Sequence, residues 1–384
     1  MALLLIIYLA FISLGLPDGV LGSIWPVMRT SLDLPLYAAG LVGAIGSIGT
    51  VISALSSYRL IRRFGTGKVT LVSVLLTALA LLGFSVSSSL FALMLCSIPL
   101  GLGAGSVDSA LNNYVALHYK ARHMNWLHSF WGLGASSGPA VMGLVLSLDL
   151  SYRMGYRILG GMQLVLVLAL FLSLSLWQDG KSRTEGETEV TTFPPVHPRK
   201  GALPFALLGF FLYCALEIST GMWAVSYLVE VKGLEPAQAA FYGSLFFLGI
   251  TSGRMASGFF SYRLSNTTLI FSGFALILVS IGLLHYSSLA VSGLSLLLMG
   301  IGCAPIFPAM IHETPNHFGR ENSQKIIGLQ MASAYTGSTL SPPLFGFLGN
   351  WIGLAWMPLM QLALLILLAS CEALLFGLGR RSSR

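Results

Sequence analysis

Long apolar runs separated by short polar breaks dominate this chain. The runs at 69–100 and 267–284, for example, contain Gly, Ser and Thr but no charged residue. A helix needs about 20 consecutive apolar residues to cross a bilayer, so this pattern predicts membrane-spanning helices. Cutting the chain at charges and at Pro, Gly, Ser and Asn clusters predicts twelve spans. They lie near 2–29, 36–58, 69–87, 90–118, 124–148, 154–177, 203–229, 236–260, 267–285, 288–312, 324–349 and 353–378.

One polar segment divides these spans into two groups of six. The residues at 178–202 are polar and contain several prolines, which is typical of a mobile linker. We therefore predict a six-helix bundle at 1–177, a cytoplasmic linker at 178–202 and a second six-helix bundle at 203–384. The predicted fold class is an all-α membrane protein of twelve transmembrane helices in two six-helix pseudo-repeats.

Short motifs recur in the two groups at a shared offset of about 200 residues. The tetrapeptide "SYRL" occurs at 57–60 and again at 261–264, and "GLG" at 101–103 corresponds to "GIG" at 300–302. Pro139 corresponds to Pro342, and Asp18 in span 1 corresponds to Glu217 in span 7. A chain of two related halves is typical of transporters built from parallel repeats about an axis normal to the membrane.

The composition and the basic residues agree with a membrane protein of defined orientation. Charged residues make up 9% of the chain, against about 25% in soluble domains. Sixteen Lys and Arg residues lie on the side of the predicted termini and four on the other, which by the positive-inside rule places both termini in the cytoplasm. The net charge of +7 is then a topological signal, and we expect no nucleic-acid partner.

We expect no metal, no cofactor and no enzymatic activity. The four cysteines lie in apolar runs without paired spacing. The histidines of "HETPNH" at 312–317 are five residues apart where a zinc-protease helix needs four, and we expect Pro315 to break the helix between them. We find no nucleophile, base and orienting group spaced for catalysis.

Four ionisable residues are predicted to lie inside spans, where a charge costs about 2.5–3.5 kcal/mol on insertion scales. We interpret Asp18, Asp108 and Glu217 as coupling sites for a proton or for Na⁺. Interhelical hydrogen bonding is the alternative for Asp18 and Glu217, and contact with a hydroxyl-rich substrate is the alternative for Asp108. Pro17 and the glycines around Asp18 predict a kinked or partly unwound span 1. Arg254 is interpreted as a gate near the cytoplasmic end of span 8 or as an ion-pair partner. Glu372 is expected to reach the cytoplasmic interface.

Polar and aromatic residues on the same spans are candidates for substrate binding. Asn112 follows Asp108 by four residues and shares its helix face, and Gln330 is the second-half counterpart of His128. Trp and Tyr rings can stack on a pyranose, although in membrane helices they more often serve in packing or as interfacial anchors. The candidate substrate-binding residues are Asn112, Asn113, His128, Trp131, Trp25, Trp223, Tyr227, Gln330 and Tyr335.

The whole chain resembles the major facilitator superfamily. More narrowly, "DSALNNY" at 108–114 with "MNWLHSFWGLGASSGP" at 124–139 resembles the branch that contains fucose:proton symporters and sodium-dependent glucose transporter-like proteins. This resemblance implies a cation-coupled sugar transporter with Asp108 as a coupling acid and Asn112 as a sugar ligand. Asp18 lies in a span where the fucose symporters also hold a coupling carboxylate. The sequence departs from the superfamily loop motif at Arg62, which stands where an acidic residue is usual.

We therefore hypothesise a multi-pass transporter of the plasma membrane that moves a small hydrophilic solute, such as a sugar, by cation-coupled alternating access. One rival is a drug or metabolite exporter of the same fold, which would have a larger cavity lined by Met and Phe. Another is a transport-inactive membrane sensor, which would bind solute without flux. The expected partners are the solute and the lipid bilayer, and we expect a monomer.

Overall fold

The computed structural model describes residues 2–119, 121–177, 201–260, 263–284 and 288–381. These residues form fourteen α-helices and two short 3₁₀ turns. The helices of the first half are α1 Ala2–Gly15, α2 Val20–Leu32, α3 Ala38–Phe64, α4 Thr66–Val86, α5 Leu90–His118, α6 Ala121–Ser147 and α7 Tyr152–Leu172. Those of the second half are α8 Ala202–Glu230, α9 Pro236–Phe260, α10 Asn266–Leu283, α11 Leu289–Cys303, α12 Ile306–Phe318, α13 Arg320–Ile352 and α14 Met357–Arg381.

The helices correspond to the twelve predicted spans. Among the described residues, ten segments are long and apolar enough to cross a membrane, and α9 and α13 lie at the two remaining predicted positions. Helices α1 and α2 together form span 1, and the predicted interruption next to Asp18 is confirmed at residues 16–19. The linker predicted at 178–202 lies, up to residue 200, outside the described residues.

Span 10 differs from its prediction in two ways. It is divided into α11 and α12, and α12 continues to Phe318 instead of ending near residue 312. The expected helix break at Pro315 is wrong, because α12 runs through this residue. A proline removes only one hydrogen bond, and spanning helices tolerate it where neighbouring groups satisfy the freed backbone.

Equivalent glycines make equivalent helix contacts in the two halves. A Cβ atom added at Gly101 would collide with the carbonyl oxygen of Gly46, and one added at Gly300 would collide with that of Phe246. These glycines let α5 approach α3, and α11 approach α9, to backbone contact. The contacts lie about 200 residues apart in sequence, so the repeated motifs reflect repeated packing.

The two halves meet at the end of the molecule opposite the chain termini, which we call the far end. A Cβ atom at Gly22 of α2 would lie 2.6 Å from the carbonyl oxygen of Gly221 on α8. A Cβ atom at Gly40 of α3 would lie 2.6 Å from Cα of Pro343 on α13. Such backbone contacts leave no room for solute, so the structure is closed at the far end.

An ion pair also crosses between the halves at the far end. Nη2 of Arg29, in the last turn of α2, lies 2.8 Å from Oε1 of Glu230 at the end of α8, and both side chains are less than one-third exposed. This pair adds an electrostatic contact to the glycine-mediated packing.

The position of Glu372 corrects the sequence analysis. Its side chain was expected at the cytoplasmic interface, yet the residue is 2% exposed. It lies nine residues before the end of α14, about 13 Å along the helix axis at 1.5 Å per residue. The side chain packs into the second half against Gly209 of α8 and does not extend toward the interface.

Candidate functional site

Asp18 lies in the interruption between α1 and α2. Gly19 adopts a left-handed conformation with φ of 72°, and this turn allows the chain to leave α1 and begin α2. The indole Nε1 of Trp131 on α6 donates a hydrogen bond of 2.9 Å to Oδ2 of Asp18. The carboxylate is thus held by a neutral donor at the point where the spanning helix is broken.

Glu217 and Arg254 extend this contact into the second half. The guanidinium of Arg254 lies 5.1 Å from the centroid of the Trp131 ring, within the range of a cation–π interaction. Its Nη2 lies 3.7 Å from Oε1 of Glu217. Asp18, Trp131, Arg254 and Glu217 therefore form one connected series across the two halves, which we call the four-residue link.

A cavity of about 290 Å³ lies beside the four-residue link and between the halves. Asp18, Trp131 and Glu217 contribute to its wall, which otherwise consists mainly of apolar side chains and glycines from both halves. Its volume is near the lower end of the roughly 300–1,000 Å³ seen for small-molecule sites. A few polar groups converging on a mostly apolar cavity are typical of a small-molecule binding site.

Asp108 and Asn112 form a polar pair on α5. Nδ2 of Asn112 donates to Oδ1 of Asp108 at 2.9 Å and to its carbonyl oxygen at 3.0 Å, which confirms that the two side chains share one face. The charge of Asp108 also acts on Asp18 and on Tyr335 of the second half. This pair is thus near the four-residue link, although neither residue contributes to the wall of the cavity. Asn113 is on α5, and its side chain is outside the described part of the structure.

His128 and Tyr335 are on the terminal side of the cavity. The His128 ring packs edge-on against Phe11 at 5.9 Å, and it lies near enough to Arg254 for their charges to interact. His128 is exposed, and Tyr335 is 43% exposed. Neither side chain contributes to the wall of the cavity.

Four other candidates are buried and bonded within the helix packing. Nε1 of Trp25 donates to the carbonyl oxygen of Leu36, and Nε1 of Trp223 donates to that of Pro342, each at 3.0 Å. The hydroxyl of Tyr227 donates to the backbone of Leu284, and the amide oxygen of Gln330 accepts from Thr314. The structure does not place Trp25, Trp223, Tyr227 or Gln330 in the cavity wall.

The cavity wall also contains residues that the sequence analysis did not select. Phe247 of α9 packs against Gly19, and the methyl group of Met222 on α8 lies 3.0 Å from the position of a Cβ atom at Gly43. Both side chains line the cavity. Nothing in the local sequence distinguishes them from other apolar residues in the same spans, and only their neighbours in space assign them to the site.

The fold and the site together define a class of protein. Two similar groups of membrane helices enclose a central cavity that is closed at one end, and this is the architecture of a secondary transporter. Within the described residues, no group of three or more His, Cys, Asp or Glu side chains is arranged to hold a metal ion.

Comparison with known families agrees with this class. The family model described as Major Facilitator Superfamily matches residues 7–320. The chain belongs to the Major Facilitator Superfamily, and the prediction from sequence is confirmed. It is accordingly a multi-pass membrane transporter and not an enzyme.

Curated relatives and solved structures are similar to this chain at low sequence identity. The chain is 24% identical to Bypass of stop codon protein 6 of Saccharomyces cerevisiae, covering 91% of this chain and 77% of that protein. It is 21% identical to the glucose/mannose transporter GlcP of Bacillus subtilis, covering 88% and 86% of the two chains. The crystal structure of the nucleoside transporter NupG superposes with a TM-score of 0.78 at 15% identity, covering 98% of each chain, and shows the shared fold.

Proposed function

We propose that this protein is a cation-coupled secondary transporter of a small hydrophilic solute, of the sugar class, and that it works by alternating access in the plasma membrane. The observation that carries the proposal is the cavity between the halves, with Asp18, Trp131 and Glu217 in its wall. Carboxylates accept hydrogen bonds from hydroxyl groups, and an indole ring can pack against the apolar face of a pyranose. GlcP, the glucose/mannose transporter named above, is consistent with this substrate class.

Charge compensation distinguishes the two acids of the cavity. Glu217 has the guanidinium of Arg254 at 3.7 Å, whereas the hydrogen bond to Asp18 comes from the uncharged indole of Trp131. An uncompensated carboxylate is costly to transfer through a closed, dehydrated state. Binding of a proton or of Na⁺ at Asp18 would remove this cost, so we assign Asp18 as the primary coupling residue and Asp108 as a second one.

The four-residue link couples cation binding at Asp18 to the contact between the two halves. Hydrogen bonds to an ionised acceptor are about twice as strong as neutral ones, so neutralising Asp18 weakens its bond to Trp131. Trp131 in turn contacts Arg254 of the second half. Cation binding would therefore loosen the contact between the halves where the carrier reorients.

Reconstitution into liposomes tests this function. Counterflow with a panel of sugars should identify a transported solute, and imposed pH and Na⁺ gradients should show which cation drives its accumulation. Asp18→Asn preserves the size of the side chain and removes its charge. We expect it to abolish gradient-driven accumulation while counterflow continues. Asp108→Asn in the same assay should weaken the cation dependence.

The control is Glu235→Gln, which removes an exposed acid before α9 and should leave uptake unchanged. Accumulation by Asp18→Asn at the wild-type level, with wild-type response to both gradients, would show that Asp18 does not couple transport to a cation.

An exporter of a more apolar compound is the second candidate. The observation in its favour is the apolar wall, which includes Phe84, Met222, Phe246 and Phe247. Competition by chemically diverse amphipathic compounds, without competition by sugars, would support the exporter. Saturable binding of a solute without flux would instead indicate the membrane sensor considered above.

A further inference from the structure

A buried carboxyl group lies in the second half, outside the central cavity. Glu372 of α14 is 2% exposed, and its Oε1 accepts no hydrogen bond from any described residue. A Cβ atom added at Gly209 of α8 would lie 2.7 Å from this oxygen. The absence of a side chain at Gly209 therefore creates the space that the carboxyl group occupies.

Apolar groups of α8 and α12 lie against Glu372. The methyl group of Met310 on α12 lies 3.1 Å from the same Cβ position at Gly209, which places it beside the carboxyl group. Gly209 is seven residues after the start of α8, about 10 Å along its axis. Glu372 is about 13 Å from the end of α14, so the group lies about two turns inside the ends of both helices.

Among the residues that the structure describes, the charged and titratable groups near Glu372 provide no compensating cation. The carboxylate of Glu313 on α12, which has the same sign, lies close enough to act on Glu372. Glu313 is itself held by the side-chain amides of Asn266 at 2.7 Å and Asn316 at 3.0 Å. Two other titratable groups lie nearby. Cys371 precedes Glu372 on α14. His317 on α12 packs against the ring of Phe376, which follows Glu372 by one turn of α14.

We propose that Glu372 is a proton-binding site in the second half, separate from the central cavity, and that it holds a proton in the conformation closed at the far end. A neutral carboxyl group fits this position at much lower free energy than a carboxylate, because no described residue donates a hydrogen bond to Oε1 in place of the water that an ion loses on burial. The proposal concerns proton binding alone and stands whether or not Asp18 couples transport.

Infrared spectroscopy of the purified transporter at neutral pH tests the proposal directly. A protonated carboxyl group has a C=O stretching band that an ionised one lacks. The difference spectrum of wild type minus Glu372→Gln should contain one such band, which shifts in D₂O. Glu372→Met should lose the same band, and it serves as a second variant should the first fold poorly. Glu313→Gln is the matched control and should retain the band, because Glu313 has two amide donors and is only half-buried.

The pH dependence of thermal stability provides a second readout. The folded protein holds a proton at Glu372 that the unfolded chain releases at neutral pH, so this site makes stability fall as pH rises. The melting temperature of wild type should therefore decrease relative to that of Glu372→Gln between mildly acidic and mildly alkaline pH. Identical infrared spectra for wild type and both variants, together with parallel melting curves at every pH, would overturn the proposal.

Discussion

At the scale of single residues, the site depends on side chains that contact each other across large sequence separations. Trp131 is the central one, since it donates to Asp18 and packs under Arg254. From the sequence, this ring is a candidate for stacking against solute. In the structure the ring lines the cavity and also connects a carboxylate of one half to a guanidinium of the other.

Trp131→Phe tests the connection by removing the indole donor and keeping an aromatic ring. A hydrogen bond to a charged group contributes about 1.5–3 kcal/mol, and its loss leaves the Asp18 carboxylate freer to bind a cation. We expect the cation concentration for half-maximal uptake to fall at least about tenfold, since each tenfold change corresponds to about 1.4 kcal/mol.

Trp126→Phe is the control for this measurement. Trp126 is on the same helix, 52% exposed, and packs against Phe130 away from the link. Equal cation dependence in Trp131→Phe and wild type would show that the indole of Trp131 does not affect cation binding at Asp18.

At the scale of elements, the break in span 1 positions Asp18, the proposed coupling acid. Pro17 and the glycines in "GLPDG" predict this break from local chemistry alone. The structure adds that the ring of Phe247 from α9 packs against Gly19. The break is therefore also a contact point between the halves, which no property of span 1 alone could reveal.

Gly19→Ala should lower both thermal stability and transport. The left-handed φ of 72° at this position costs a residue with a Cβ atom roughly 1–2 kcal/mol, and the new methyl group would collide with Phe247. Phe247→Ala in the same chain removes the collision but not the backbone strain, so it should restore part of the lost melting temperature.

Gly161→Ala is the control for Gly19→Ala, because it makes the same change of side chain at a position without a close neighbour. Gly161 lies within α7, and a Cβ atom there would meet no other atom within 4 Å. Alanine is favoured over glycine inside a helix, so stability should be maintained. A melting temperature for Gly19→Ala equal to that of this control would contradict the packing argument.

At the scale of the whole molecule, the contacts that join the halves at the far end define the conformation. Gly22 and Gly40 allow backbone contact between the halves, and the Arg29–Glu230 pair adds a contact that must break if the carrier opens at this end. The orientation predicted from the basic residues would place the far end outside the cell, and the structure would then be inward-facing.

Arg29→Gln should therefore shift the carrier toward opening at the far end. A partly exposed ion pair contributes about 0–1 kcal/mol, so the open population should rise by no more than about fivefold. The measurement is the rate at which an impermeant thiol reagent, added on the far side, labels a cysteine introduced at Ser47 in the cavity wall.

The charge-reversed pair Arg29→Glu with Glu230→Arg should restore slow labelling. Arg153→Gln is the control, because Nη1 of Arg153 donates to the backbone of Ser85 within the first half and does not cross between the halves. An unchanged labelling rate in Arg29→Gln would show that glycine packing alone holds the far end closed.

The sequence by itself determined the spans, the twofold repeat, the break at Asp18 and the short list of costly charged residues. These features follow from local physics, because membrane insertion depends on the summed hydropathy of each segment and proline or glycine acts on its own turn. The pairing of Asp108 with Asn112 is equally local, since four residues span about one turn of helix. Family membership followed from the same motifs.

Only the tertiary structure decided which of these residues meet. Trp131 donates to Asp18, which is 113 positions away in sequence. Trp25 and Trp223 donate to backbone carbonyl oxygens in the helix packing at the far end. Phe247 lines the cavity although its local sequence resembles that of other apolar segments. Glu372 was expected at the interface because its distance from the chain end allowed it, and it is buried because Gly209 on another helix leaves room for it. Such contacts depend on how helices are arranged in space, and the hydropathy of a single segment carries no information about that arrangement.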